Sequence, residues 1–151
     1  MNEEYIIISA VPFLQQYKLI SGATSPISIG EVVRSKDGDY IENMVTVGDP
    51  LPHQVNQKFL VGKIMFWVKE TMRIRLFCNL SADEIVEIDS DLNGDPELEI
   101  REFAEVIIAL PSEKPDEMTV CVTFRFDEKG ISVRARREDT GENLKVEINP
   151  K

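Results

Sequence analysis

The chain is predicted to be all-β: a two-layer antiparallel β-sandwich of about eight to ten short strands, with a short N-terminal helix. Three observations lead there. Apolar residues recur at every second position through most of the sequence, the period of a half-buried strand. Clusters of Gly, Pro and Asp separate these runs at short intervals. A hydrophobic fraction of 42% supplies enough apolar side chains to fill a core between two sheets.

The elements follow in order. Met1–Asn2–Glu3–Glu4 precedes an apolar stretch over residues 5–14. A secretory leader needs a positive start, and no apolar run reaches the ~18 residues of a membrane span, so a cytoplasmic protein is expected. Pro12 suits a first helical position, Phe13 and Tyr17 lie four apart, and Gly22 suits the residue past a helix end. So short a helix is stable only when docked on a sheet. Residues 1–23 are therefore assigned to an N-terminal extension, and residues 24–151 to the sandwich domain.

Ile27 and Ile29 alternate with Ser28 and Gly30, and Val32–Val33 carries the strand to Asp37–Gly38, a hairpin signal. The chain returns over residues 40–47 and breaks at Gly48–Asp49–Pro50–Leu51–Pro52. Further strand-like runs span residues 57–61, 64–68, 72–77 and 85–88. Residues 98–110 form a longer run expected to contain a bulge. The clearest pattern comes last. Met118, Val120, Val122, Phe124 and Phe126 alternate with Thr119, Cys121, Thr123 and Arg125. A turn at Gly130, Ile131–Val133–Ala135 alternation, a turn at Gly141 and Leu144–Val146–Ile148 predict a three-stranded antiparallel meander.

Composition bears on function. With 17 basic against 27 acidic residues the net charge is −10. Nucleic acid and anionic membrane are thus disfavoured as partners, because both require a basic face. Cys78 and Cys121 are too few for a disulfide framework and read as small buried apolar residues. The single histidine, His53, has no nucleophile motif beside it, and neither a phosphate-cradling nor a dinucleotide glycine motif occurs. No enzyme is indicated. Asp89–Ser90–Asp91–Leu92–Asn93–Gly94 matches the first half of an EF-hand loop, but Ile100 stands where the bidentate glutamate belongs. A solvated acidic turn is the plainer reading. Arg134, Arg136 and Arg137 are expected to pair with carboxylates across the sheet. Residues 62–68, with Ile64, Met65, Phe66 and Trp67 in a row, are either buried on both faces or an apolar binding surface.

Several stretches taken together resemble one family. Thr24–Ser25–Pro26–Ile27–Ser28–Ile29–Gly30 is similar to the run that opens the substrate-binding β-domain of DnaK-type chaperones, the seventy-kilodalton heat-shock class. Leu51–Pro52 and Asn56–Gln57–Lys58–Phe59 resemble its proline turn and following strand. Val120 to Ile131 is similar to its Val-Thr-Phe-x-Ile-Asp-x-x-Gly-Ile, and Thr140–Gly141 sits where the family has Ser/Thr-Gly. The likeness covers roughly residues 24–149 and is carried by the order of these segments rather than by any single one.

The resemblance implies a non-enzymatic module of a chaperone-like protein, holding unfolded or extended apolar peptides in a cleft. It implies peptide contacts at Val33, Arg34, Phe59, Met72 and Ile74, with Ile64 or Met65 as an arch over them. Two departures stand out. Glu31 occupies a position that the family fills with an aliphatic residue, and Arg34 replaces an apolar arch residue. Both cleft hairpins, at residues 35–40 and 62–71, are longer. Residues 1–23 are too short for a nucleotide-binding domain and no helical lid follows. No nucleotide cofactor is therefore expected here, and a nucleotide-binding domain would lie on another chain or in a longer parent protein. The alternative is a degenerate sandwich used for oligomerisation or partner docking.

Overall fold

Alternation along each strand turns one set of side chains inward, and two sheets close over that set. The computed structural model describes residues 4–6, 14, 17–62, 70–111 and 116–151. Eleven strands occur among them: β1 (Glu4–Ile6), β2 (Ser28–Ser35), β3 (Gly38–Val45), β4 (His53–Gly62), β5 (Thr71–Asn79), β6 (Ile85–Ile88), β7 (Arg101–Ala109), β8 (Glu117–Asp127), β9 (Gly130–Arg137), β10 (Asn143–Leu144) and β11 (Val146–Pro150). One sheet runs β1-β9-β8-β4, with β10 also on β9; the other runs β11-β7-β5-β2-β3-β6. Every pairing is antiparallel. Both sheets contribute to a single core in which Ile29, Leu76, Val106, Ile108, Val120, Phe124, Phe126, Ile131 and Val133 are fully buried. This is the arrangement of a β-sandwich.

The expected N-terminal helix is not seen among the described residues. Residues 18–20 are irregular, and Leu14 lies in a single 3-10 turn with its carbonyl accepting from the Tyr17 amide. Residues 12, 13, 15 and 16 lie outside the described residues, as does the expected strand over 64–68. The segment docks by other means: Leu14 and Leu19 enter the core, and β1 adds to the edge of β9 in register Glu4↔Val133. One or two helical turns give too few backbone bonds to offset nucleation, whereas a strand edge supplies partners at once.

The C-terminal meander is corrected as well. The last stretch pairs with β9 only at Asn143 and Leu144, then crosses to the other sheet, where Val146 faces Ile108 and Ile148 faces Val106. Leu144 and Val146 are both buried in the shared core. A change of sheet at Lys145 keeps both inward while giving each half a backbone ladder.

Two bulges shape the six-stranded sheet. In β7, Leu76 faces Ala104 while Phe77 faces Glu102, leaving Phe103 as the extra residue in the segment where a bulge was expected. The bulge lets the consecutive Phe103 and Ala104 both enter the core. In β3, Ile29 faces Val45 and Gly30 faces Asn43, so Met44 is extra. A side chain on Gly30 would press on the Glu42 carbonyl and lie 2.8 Å from the Asn43 Cα, which only glycine avoids.

A second cluster, Ile41, Phe77, Val86 and Ile88, sits on the outer face of the same sheet under the loop that follows β6. In that loop the Asp89 Oδ1 accepts from the Asp91 and Asn93 amides, at 2.9 and 3.0 Å. The acidic run is thus folded as a turn by its own backbone.

Candidate functional site

Where β2, β4 and β5 end at one rim of the sandwich, the two sheets part and leave a groove of about 960 Å³. Its floor is apolar: Val61, Met72 and Ile74 are each less than a tenth exposed, and Phe59 packs against the same core. The strand period explains the set. Phe59 and Val61 are alternate residues of β4, Met72 and Ile74 alternate residues of β5, and all four point between the sheets.

Of the residues expected at the cleft, Val33, Arg34, Phe59, Met72 and Ile74 all line this groove. Ile64 and Met65 lie outside the described residues. Arg34 is turned aside: its Nη1 pairs with Asp39 and donates to the Ser90 carbonyl at 3.3 Å. Glu31, which the resemblance puts at the cleft rim in place of an aliphatic residue, is in the lining as well. It lines the groove two positions before Val33, on the same face of β2, and period-two counting carries it there.

Glu31 is 8% exposed and stands directly opposite Glu42 on β3. Burial, with the neighbouring Glu42 charge second, pushes its carboxyl up to about 7. The basic residues around the groove are engaged elsewhere. Lys58 binds Glu138 at 2.7 Å, Arg73 binds Glu105 at 2.7 Å, and Arg75 binds Glu102 through two bonds of 2.8 and 2.9 Å. That fork holds Glu102 below the usual carboxylate range.

β4 pairs with β8 alone, so among the described residues its other edge carries no strand. Leu60, facing outward there, is 67% exposed. No protein-family model matches the chain, and no match to it was found among curated proteins.

His53 is the first residue of β4, and its ring nitrogen is engaged by the Met44 carbonyl. Of the three arginines, Arg137 is buried and forks onto Asp139 two residues away. Among the described residues no group of three or more His, Cys, Asp or Glu side chains is placed to hold a metal ion. No helix among them is long and apolar enough to cross a membrane.

Proposed function

We propose that this protein is a cytoplasmic, chaperone-like peptide-binding module that holds extended apolar segments in the groove without catalysis. One observation carries the reading: an apolar floor of Val61, Met72 and Ile74 lies beside β4, a strand whose second edge pairs with no strand among the described residues. An extended peptide there gains main-chain hydrogen bonds from the strand edge and places a side chain on the floor, the two ingredients of strand-type recognition. The resemblance of residues 24–149, in sequence, to the substrate-binding β-domain of DnaK-type chaperones supports the same reading. A nucleotide-binding domain on another chain or in a longer parent protein would supply any ATP-driven cycle.

Burying one aliphatic side chain contributes about 1.5–3 kcal/mol, and each backbone hydrogen bond about 1 kcal/mol. After the ordering cost of the peptide, micromolar affinity is expected. The test is titration of an arrayed library of short extended peptides. Apolar members bind, and Ile74→Asp abolishes binding while circular dichroism still reports the β-fold. No binding by any apolar peptide at millimolar concentration overturns the proposal.

The exposed Leu60 on β4, whose second edge pairs with no strand among the described residues, favours one second reading, association through β4 with another protein or another copy. A dimer by light scattering that Leu60→Ser disperses would support it.

A further inference from the structure

The groove has an apolar floor and one acidic group set into its wall, and the pairing state of that group is unusual. Glu31 is 8% exposed and lines the groove, its carboxyl group makes no hydrogen bond or ion pair among the described residues, and its oxygens are not sealed from solvent but open to the groove. Buried carboxylates are normally matched by a cation or several hydrogen bonds, since desolvation without compensation is costly. Four cations lie around this groove, and each faces a different acid: Arg34 with Asp39, Lys58 with Glu138, Arg73 with Glu105 and Arg75 with Glu102. The cross-strand neighbour of Glu31 is another acid, Glu42, so the sheet itself deepens the deficit. The groove thus presents an acid with no cation of its own among the described residues.

We propose that the occupant of the groove is an extended peptide whose inserted side chain is basic, its methylene stem lying on Val33, Phe59 and Met72 and its cationic head meeting Glu31. Lysine and arginine both have the required form, an apolar stem ending in a charge. A charge-assisted bond in a partly desolvated site is stronger than its exposed counterpart. The peptide would thus gain from the head group what an aliphatic side chain does not, while an acidic side chain at the same place would be repelled. This inference rests on the peptide-binding reading and names which peptides that reading selects.

The arrangement also links binding to pH. In the free groove Glu31 takes up a proton near neutrality, because of its burial and of Glu42. A bound cation favours the ionised form, so peptide binding expels that proton and strengthens as pH rises through about 7. Across the sheet Glu31 faces Glu42 on β3 and Leu76 on β5, with Tyr40 opposite its neighbour Val33; Phe59 on β4 lines the same groove, and neither Leu76 nor Phe59 carries a charge. At the rim stand Glu70 and the four cations already paired.

The experiment uses blocked heptapeptides Ser-Val-Leu-X-Leu-Val-Ser with X as lysine, norleucine or glutamate, titrated calorimetrically into the full chain at pH 6 and pH 8. Norleucine keeps the stem and omits the charge. At pH 8 the lysine peptide should bind about tenfold more tightly than the norleucine peptide, as one charge-assisted bond implies, and the glutamate peptide should bind most weakly. The lysine advantage should shrink at pH 6. Glu31→Gln, which keeps the side-chain shape, should erase it at both pH values, so that the lysine and norleucine peptides bind alike. If norleucine binds as tightly as lysine in the wild type, or if Glu31→Gln keeps the preference, the inference is wrong and peptide binding stands. If none of the peptides binds, both are wrong.

Discussion

His53 Nε2 lies 3.0 Å from the carbonyl oxygen of Met44, the extra residue in the β3 bulge. The contact joins the start of β4 in one sheet to the edge region of the other, and the imidazole also leans on Phe126 with ring centroids 6.4 Å apart. A bulge leaves a backbone group outside the ladder, and the only histidine of the chain satisfies it. His53→Ala should therefore cost about 1–3 kcal/mol, measured as a lower urea midpoint at unchanged slope. An unchanged midpoint would mean that water replaces the ring without loss.

Gly30 sets the same bulge from the other strand. Gly30→Ala places a methyl group 2.8 Å from both the Asn43 Cα and Oδ1, so the backbone of β3 must move. Asn43 is itself held by Asn79, whose Nδ2 donates to it at 2.9 Å, and in turn donates to the Asp83 carbonyl at 2.9 Å. A loss of about 2–4 kcal/mol is expected from overpacking with disruption of that buried network. Thermal unfolding gives the answer directly, and a shift below two degrees would contradict it.

Neighbouring residues of β8 should behave oppositely. Phe124 is fully buried, while the Arg125 side chain is 45% exposed and pairs with Asp127 at 3.2 Å. Phe124→Ala should cost about 3–5 kcal/mol. Arg125→Ala should cost less than about 1 kcal/mol, since an exposed pair contributes little. Similar losses from the two variants in equilibrium denaturation would be incompatible with the burial pattern.

Glu31 should leave its mark on stability without any peptide present. Its folded pKa, about 7, lies above the ordinary 4.5. Below pH 4.5 the group is protonated in both states and costs nothing. As pH rises towards 7 the unfolded chain ionises first, so stability falls, and the full cost is present above 7. Glu31→Gln should match the wild type near pH 4 and exceed it at pH 8, by up to about 3 kcal/mol. Denaturation curves at the two pH values decide it; a constant difference would mean that Glu31 ionises normally in the folded protein.

Much of the groove could be counted out from strand period alone. Val33, Phe59, Met72 and Ile74 fall on inward positions of their strands, and all of them line one cleft. Glu31 was equally countable, yet its chemistry was not, because a glutamate on an inward position is noteworthy only once its surroundings are known. Nothing in the local sequence of Glu31 says that Glu42 stands opposite, or that Arg34, Arg73 and Arg75 are bonded elsewhere. Phe77 makes the same point. It lies on the outer face of its sheet, where the loop after β6 folds over it and builds a second apolar cluster.

By itself the sequence determined the all-β class, the inward faces of β8 and β9, and the turns at Gly38 and Gly130, which adopt positive φ of 121° and 117°. These depend on neighbours one or two residues away: alternation sets a face, and a missing Cβ permits a turn. Tertiary structure alone decided that the last strand changes sheets at Lys145, that Met44 and Phe103 are the bulged residues, and that residues 4–6 become a strand on β9. Each of these is a choice of partner among strands distant in the chain. Register between such strands follows from how the whole core fills, and a one-residue shift would turn every apolar side chain the wrong way.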